Sequence, residues 1–255
     1  ALPISVYKSW YGNGGVFAKT GDGGISLGLF TDGLNPNSNV HLQRSMLPIL
    51  VPWMTLPQDY RMCLGPLMLV GIVPGNGSKE PANLDPYVNI LVDECLELSN
   101  HSWYNAYHRA PMTVKLSILY FLCDFPAYGK LLKLPGQAAH KRCYTCTDVA
   151  QYNKCLTKAV HTSSKTFLPS DHILRQDKSL FPLKSVELRS KPTNRDMDKE
   201  KADREQYELQ PNNNRKSNLQ KVTGVKGTHC LLQMPGHDRV NQMSADPMHT
   251  VVDVL

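Results

Sequence analysis

Two aspartates, Asp32 and Asp124, and one cysteine pair, Cys143 and Cys146, are the residues whose types and placement could do chemistry. Asp32 closes the apolar run from Ile25 to Thr31 and stands before Gly33, and Asp124 closes the run from Met112 to Cys123. Carboxylates that converge from the ends of different strands can hold two divalent ions about 3.5–4 Å apart. One ion would activate a water or a 3′-hydroxyl and the other would stabilise the leaving oxygen. Oxygen donors of this kind suit Mg2+ or Mn2+. An aspartate before glycine or at a strand end is also an ordinary turn former, so each acid taken singly has a purely structural alternative.

Cys143-Tyr144-Thr145-Cys146 lies in a polar, basic stretch. The spacing lets two thiolates of one tight turn bind a single Zn2+. It is half a site; Cys155, His140, His229, His237 and His249 are available for the other half. A redox role would need the strand and helix of a thioredoxin-like unit around the motif, and that pattern is missing. Two plain thiols are the remaining alternative. Cys63, Cys95 and Cys123 fall inside apolar runs and read as buried. Asp246-Pro247-Met248-His249 reads first as a helix start, with Asp246 as cap and Pro247 at the opening position.

The elements that must position these residues follow from period and punctuation. Ile25 to Asp32 predicts a strand that stops at Asp32-Gly33. Met46 to Met54 is apolar but broken by Pro48 and Pro52, which predicts an edge or irregular strand. Gly65 to Val73 predicts a buried strand closed by Pro74-Gly75. From 85 to 98 the period changes to that of an amphipathic helix, with Tyr87, Ile90, Leu91, Glu94, Cys95 and Leu98 on one face and Asp85 as N-cap. Met112 to Cys123 predicts a further strand ending in an acid. The order is strand, strand, strand, helix, strand, with acids after the first and fourth strands. That is the order in which a ribonuclease-H-like core presents its first two metal-binding carboxylates.

Residues 184–226 carry eleven Lys or Arg, seven Asp or Glu and three consecutive asparagines, Asn212 to Asn214. This composition predicts a solvated insert or linker, partly helical between Arg195 and Tyr207. Structure is expected to resume near Cys230, and Asp246 to Leu255 looks like the start of a helix. The 255 residues hold 41% hydrophobic and 20% charged residues with a net charge of +6. A buried core is therefore expected, and the basic balance is compatible with a polyanionic partner without requiring one. The longest apolar runs, near 65–74 and 116–123, are too short to span a bilayer. No signal-peptide pattern opens the chain, and the CxxC at Cys143 and Cys146 reads as a metal site in a reducing compartment. The start at Ala1 without methionine and the end inside an apolar segment suggest a piece of a longer protein.

Taken as a set, the motifs resemble those of CACTA-type (En/Spm, Tnp2-like) DNA transposases. Thr31-Asp32-Gly33-Leu34-Asn35-Pro36 is similar to the family's TDG(F/L)NP block. Leu56-Pro57 with Arg61, then Gly71-Ile72-Val73-Pro74-Gly75, resemble its next two blocks, although Thr55 stands where the family usually has asparagine. Leu84 to Leu98 resembles its acidic helix, Asp124-Phe125-Pro126-Ala127 its second-acid block, and Asp246-Pro247-Met248-His249 its D.MH block. The similarity runs from about Ile25 to the end and weakens across 150–225.

The resemblance implies an α/β (α+β) fold, a ribonuclease-H-like mixed sheet with flanking helices and a zinc-containing, partly disordered insertion. It implies a flanking segment at 1–24 and the first part of the catalytic core at 25–140. A zinc and insertion region at 141–230, with the charged linker 184–226, and a truncated helical part at 231–255 would follow. Asp32 and Asp124 would be the first two acids of a DDE triad with Mg2+ or Mn2+. Cys143 and Cys146 would bind Zn2+, and His249 would be the histidine of the (M/L)H motif, also a candidate metal ligand. The third acid and a further histidine pair lie farther downstream in the family, so this polypeptide alone is expected to be inactive. The implied setting is the nucleus, with transposon-end DNA as partner, possible homo-oligomers and no membrane. The alternative is a domesticated or decayed descendant that binds DNA or a partner without catalysis.

Overall fold

The computed structural model describes residues 17, 24–36, 45–61, 63, 65–75, 81, 83–136, 139–153, 157–160, 171–173 and 193–243. These fall into two compact units, one built from residues 1–132 and 229–255 and the other from 133–228.

The first unit is organised on a four-stranded mixed sheet. Its strands are β1 (Gly24–Thr31), β2 (Met46–Pro52), β3 (Leu67–Pro74) and, after a helix and a hairpin, β6 (Lys115–Cys123). The spatial order is β3-β2-β1-β6. β1 runs antiparallel to β2 and parallel to β6, and β2 runs antiparallel to β3. A parallel pair needs a long crossover, and the short helix α1 (Gln58–Arg61) and helix α2 (Asp85–Asn100) lie within the stretch that joins β1 to β6. β1 is buried along nearly its whole length, and Leu29, Val51 and Phe121 are completely so. An apolar run without strict alternation is what a strand covered on both faces requires.

Two expectations change places. The prolines of β2 predicted an edge or irregular strand, yet β2 sits inside the sheet. It is irregular all the same: its register to β3 shifts between Ile49 and Leu50. Its ladder to β1 consists of Phe30–Leu50 and Thr31–Ile49, flanked by single bridges Leu34–Met46 and Leu27–Trp53. Neither Pro48 nor Pro52 belongs to a registered pair with β1, so their missing amide hydrogens fall where that ladder is already broken. The apolar run of β3 predicted a buried strand, but β3 is the edge, with Met68, Leu69 and Ile72 exposed. Apolar composition reports the capacity to be buried, and strand order decides which strand is.

Helix α2 forms where its period predicts, but rotated. Val88, Leu91, Val92 and Cys95 are the buried stripe, while Tyr87, Ile90 and Leu98 are exposed. The helix also begins one residue early: Leu84 is the N-cap and gives no side-chain hydrogen bond, while the Asp85 N–H donates to Asn83 Oδ1 at 3.2 Å. The run from Met112 to Cys123 is two strands. β5 (Ala110–Thr113) pairs with β4 (Ser102–Asn105) as a hairpin, and β6 follows at Lys115.

Residues 229–243 complete this unit around β6. Gln242 is buried on the short helix Arg239–Gln242, and its Nε2 donates to the Ile118 carbonyl at 2.6 Å. Ser117 Oγ donates to the Pro235 carbonyl, and Met243 bridges to Phe121. The chain returns to this unit at His229–Cys230, but structure resumes earlier than the sequence suggests, with helices already at Met197–Glu208 and Asn213–Thr223.

The second unit contains the stretch whose charge suggested a solvated linker. Residues 184–192 lie outside the described residues, but 193–228 hold two helices, Met197–Glu208 and Asn213–Thr223. Asp196 caps the first, accepting from the N–H groups of Asp198 at 2.9 Å and Lys199 at 3.2 Å. Asn212 of the asparagine run caps the second, accepting from Arg215 N at 2.9 Å. The second helix stops at Gly224 with φ +78°. A Cβ there would also meet Lys141 O at 2.9 Å, so glycine is required twice over. The charges are used internally as well. Arg204 is almost fully buried, paired with Glu200 at 2.8 Å and donating to the Gly227 carbonyl. A charge count cannot distinguish this from a solvated run, because the pairing depends on the fold.

Candidate functional site

The two aspartates are delivered by neighbouring parallel strands. Thr31 of β1 pairs with Cys123 of β6, and Asp32 and Asp124 are the residues immediately after that pair. Both carboxylates act on the Cys123 thiol, which burial, with smaller contributions from Asp124 and Asp32, pushes up to about 12. Asp32 is exposed and Asp124 half-buried.

Each carboxylate is tethered by one oxygen. Asp32 Oδ1 accepts from the Gly33 N–H at 2.7 Å. Asp124 Oδ1 accepts from the Ala127 N–H at 2.7 Å and caps helix α3 (Phe125–Leu131), with Pro126 in the first turn. The structural role open to each acid from its position is therefore realised. The contact uses Oδ1 in each case, and Oδ2 is the oxygen that could serve a cation. Two oxygens of this type, on adjacent chain ends, fit a hard divalent cation.

Further contacts hold the strands and the helix that carry the acids. Ser26 N donates to Thr55 Oγ1 at 2.8 Å, so the threonine in place of the usual asparagine fastens the loop after β2 to β1. Arg61 Nε donates to Leu56 O at 2.7 Å. Tyr128 of α3 is buried and donates from its hydroxyl to Phe121 O at 2.6 Å, which fixes the helix that begins at Asp124 against its own strand.

In the second unit Cys143 and Cys146 come together with their Sγ atoms 3.0 Å apart, and the Cys146 N–H donates to Cys143 Sγ at 3.4 Å. The hydrogen bond from the Cys146 thiol holds Cys143 down to about 5, and Cys146 is correspondingly pushed up. Tetrahedral zinc with bonds of about 2.3 Å needs sulfurs roughly 3.8 Å apart. The turn would open by under one ångström to accept it. A feature not foreseen from sequence is the clamp on this turn. Arg195 Nε donates to the Cys143 carbonyl at 3.0 Å and the Cys146 carbonyl at 3.3 Å; its Nη2 reaches Lys141 O at 3.2 Å and its Nη1 Thr223 O at 3.1 Å. The backbone of 193–195 also pairs with 145–147, through Thr147 N to Thr193 O and Arg195 N to Thr145 O, both 2.9 Å. No short-range pattern signals a partner fifty residues away.

His140 Nδ1 lies 3.3 Å from Ala150 O. His229 and His237 belong to the first unit, with ring centroids 5.2 Å apart. Cys155, Asp246 and His249 lie outside the described residues. Among the described residues no group of three or more His, Cys, Asp or Glu is arranged to hold a metal ion. Among them, too, no helix is long and apolar enough to cross a membrane.

Comparison with curated proteins gives no match. The model of the transposase family tnp2 matches residues 15–201, which include both aspartates, the cysteine pair and the Arg195 clamp, and the chain belongs to that family.

Proposed function

We propose that the first unit is a ribonuclease-H-like core of a DDE-type transposase, in which Asp32 and Asp124 are the first two metal-binding acids. The observation that carries this reading is the parallel Thr31–Cys123 pair, which sets both acids at the same end of adjacent strands. The order β3-β2-β1-β6, with three antiparallel strands and the fourth parallel to the first, supports the same fold. Mg2+ or Mn2+ bound there would supply charge neutralisation for phosphoryl transfer at transposon ends. The part of this chain is to offer Oδ2 of each aspartate while its Oδ1 stays bonded to backbone N–H, so that the ligands are aimed before metal arrives. The third acid is unassigned.

Zn2+ at Cys143 and Cys146 belongs to the same proposal, with His249 retained as a candidate ligand of the family motif. Zinc would take both thiolates, and Arg195 would keep their carbonyls in place. Family membership and the CACTA-like motifs support transposon-end DNA as substrate and the nucleus as location.

A metal-dependent nicking assay on the full-length product compares wild type with Asp32→Ala and Asp124→Ala. Loss of cleavage in both variants, with Mg2+ or Mn2+ present, is the expected result. Cleavage by both variants at the unaltered rate would overturn the assignment, and salt-sensitive DNA binding without cleavage would favour a non-catalytic descendant.

A further inference from the structure

The hairpin β4–β5 stands out for what it exposes. Trp103, Tyr104 and Tyr107 are 40%, 68% and 89% exposed, against the ordinary tendency of large aromatics to be covered. Its scaffold is firm. Four registered pairs run from Ser102–Thr113 to Asn105–Ala110, and Asn105 Oδ1 accepts from the N–H groups of Tyr107 and His108, each at 3.0 Å. Trp103 Nε1 donates to Leu98 O at 2.9 Å, tying the ribbon to the end of α2.

The charge of this segment has one sign. Between Glu97 and Asp124 there is no acidic residue, while His101, His108, Arg109 and Lys115 are all present. Arg109 is exposed and sits at φ +53°, in the left-handed region that glycine or asparagine occupies at lower cost. Its guanidinium makes no ion pair or hydrogen bond with the described residues. A strained backbone position held by an arginine with no structural partner points outward for its use.

We infer that this hairpin is a docking surface for duplex DNA, with Arg109 as its phosphate or groove contact and the exposed tyrosines packed beside it. A two-stranded β-ribbon matches the width of the major groove. Arginine and tyrosine side chains are also standard donors to phosphate oxygens. β6 leads from Lys115, beside the hairpin, to Cys123, before Asp124. At about 3.3 Å per residue the ribbon stands roughly 25–30 Å from the acids, a distance of the order of one turn of duplex. The inference rests on the transposase-core reading and assigns to it a contact on the flank of the reacting DNA.

The test is fluorescence anisotropy of a labelled 20-base-pair duplex of arbitrary sequence with the whole chain, its Arg109→Gly variant and its Tyr104→Ser/Tyr107→Ser variant. Glycine relieves the backbone cost, so Arg109→Gly is expected to melt no lower than the parent. It is expected to bind the duplex about three- to ten-fold more weakly, with the slope of log affinity against log salt reduced by about one. The tyrosine variant is expected to weaken binding by a similar factor. Unchanged affinity in both variants would overturn the hairpin assignment while leaving the nicking result on Asp32 and Asp124 to judge the core. Absence of duplex binding by the parent chain would overturn it too. So would a loss of self-association in sedimentation without loss of DNA affinity, which would make the ribbon a protein interface.

Discussion

Thr31 and Cys123 form the last registered pair of the parallel ladder between β1 and β6, and the two strands hand over to Asp32 and Asp124 at the same level. The pairing couples the acids to the core: a slip of one residue in register would move one carboxylate by about 3.3 Å and turn its side chain to the other face.

Asp124 has two separable duties, and substitutions should separate them. Asp124→Asn keeps an oxygen for the Ala127 N–H and is expected to hold stability to within about 0.5 kcal/mol. Asp124→Ala should cost about 1 kcal/mol more through loss of the cap. Both should lower metal-dependent cleavage by at least a hundred-fold, on the proposed role. Thermal melts set beside nicking rates check this; an active Asp124→Asn would leave the residue with its capping duty alone.

Thiol reactivity should follow the shifted ionisations. In metal-free protein, Cys143, held near 5 by the Cys146 hydrogen bond, is a thiolate across neutral pH. Its alkylation by iodoacetamide should be fast and nearly flat from pH 6 to 8. Cys95 and Cys123, pushed by burial to about 11 and about 12, should remain unmodified until the protein unfolds. Peptide mass mapping over a pH series reads this directly. Because folding lowers Cys143, the metal-free pair should add stability as pH rises from about 5 to about 9, and because Cys146 is raised that gain should be lost again above about 9. Added Zn2+ should protect both residues, on the proposed site.

Arg195→Ala removes a group that serves four carbonyls at once. The second unit should lose about 1–3 kcal/mol, since four part-buried carbonyls lose this donor. Arg195→Lys should recover little, because an ammonium cannot reproduce the planar fork. Denaturant titration gives the stability, and zinc content of the purified variants tests whether the clamp also holds the cysteine turn in shape.

Gly28 lies at the register shift of β1, where a Cβ would come within 2.9 Å of Pro52 Cγ. Gly28→Ala is expected to destabilise the first unit by about 1–3 kcal/mol through overpacking against an inflexible ring. Gly71 of the edge strand β3, with open space around its Cβ position, should accept alanine at much lower cost. An equal melting shift for the two would remove the steric account.

The strands that end in Asp32 and Asp124 were legible because an apolar run that stops at Asp-Gly or Asp-Phe-Pro marks its own boundary. Helix 85–100 was legible from its period, but its buried face was not. Tyr87 and Leu91 are both apolar, and which stripe turns inward depends on the strand beneath. Pro48 and Pro52 misled on strand order because the rule concerns lost hydrogen bonds, and β2 has few to lose toward β1. The Arg195 clamp and the Arg204–Glu200 pair were hidden in a charge count. Long-range pairing leaves no periodic trace.

The hydrogen bonds between 145–147 and 193–195 close the chain into a loop whose neck is held whatever lies within it. Thr147 Oγ1 and Thr193 Oγ1, 3.3 Å apart, stand on either side of that neck. Loop closure costs only about 0.6 kcal/mol for each doubling of length. A longer or shorter connection between the two sides of the neck would therefore change the cost of joining them by only a fraction of a kcal/mol, so the pairing that braces the cysteine turn is expected to tolerate changes of length between them.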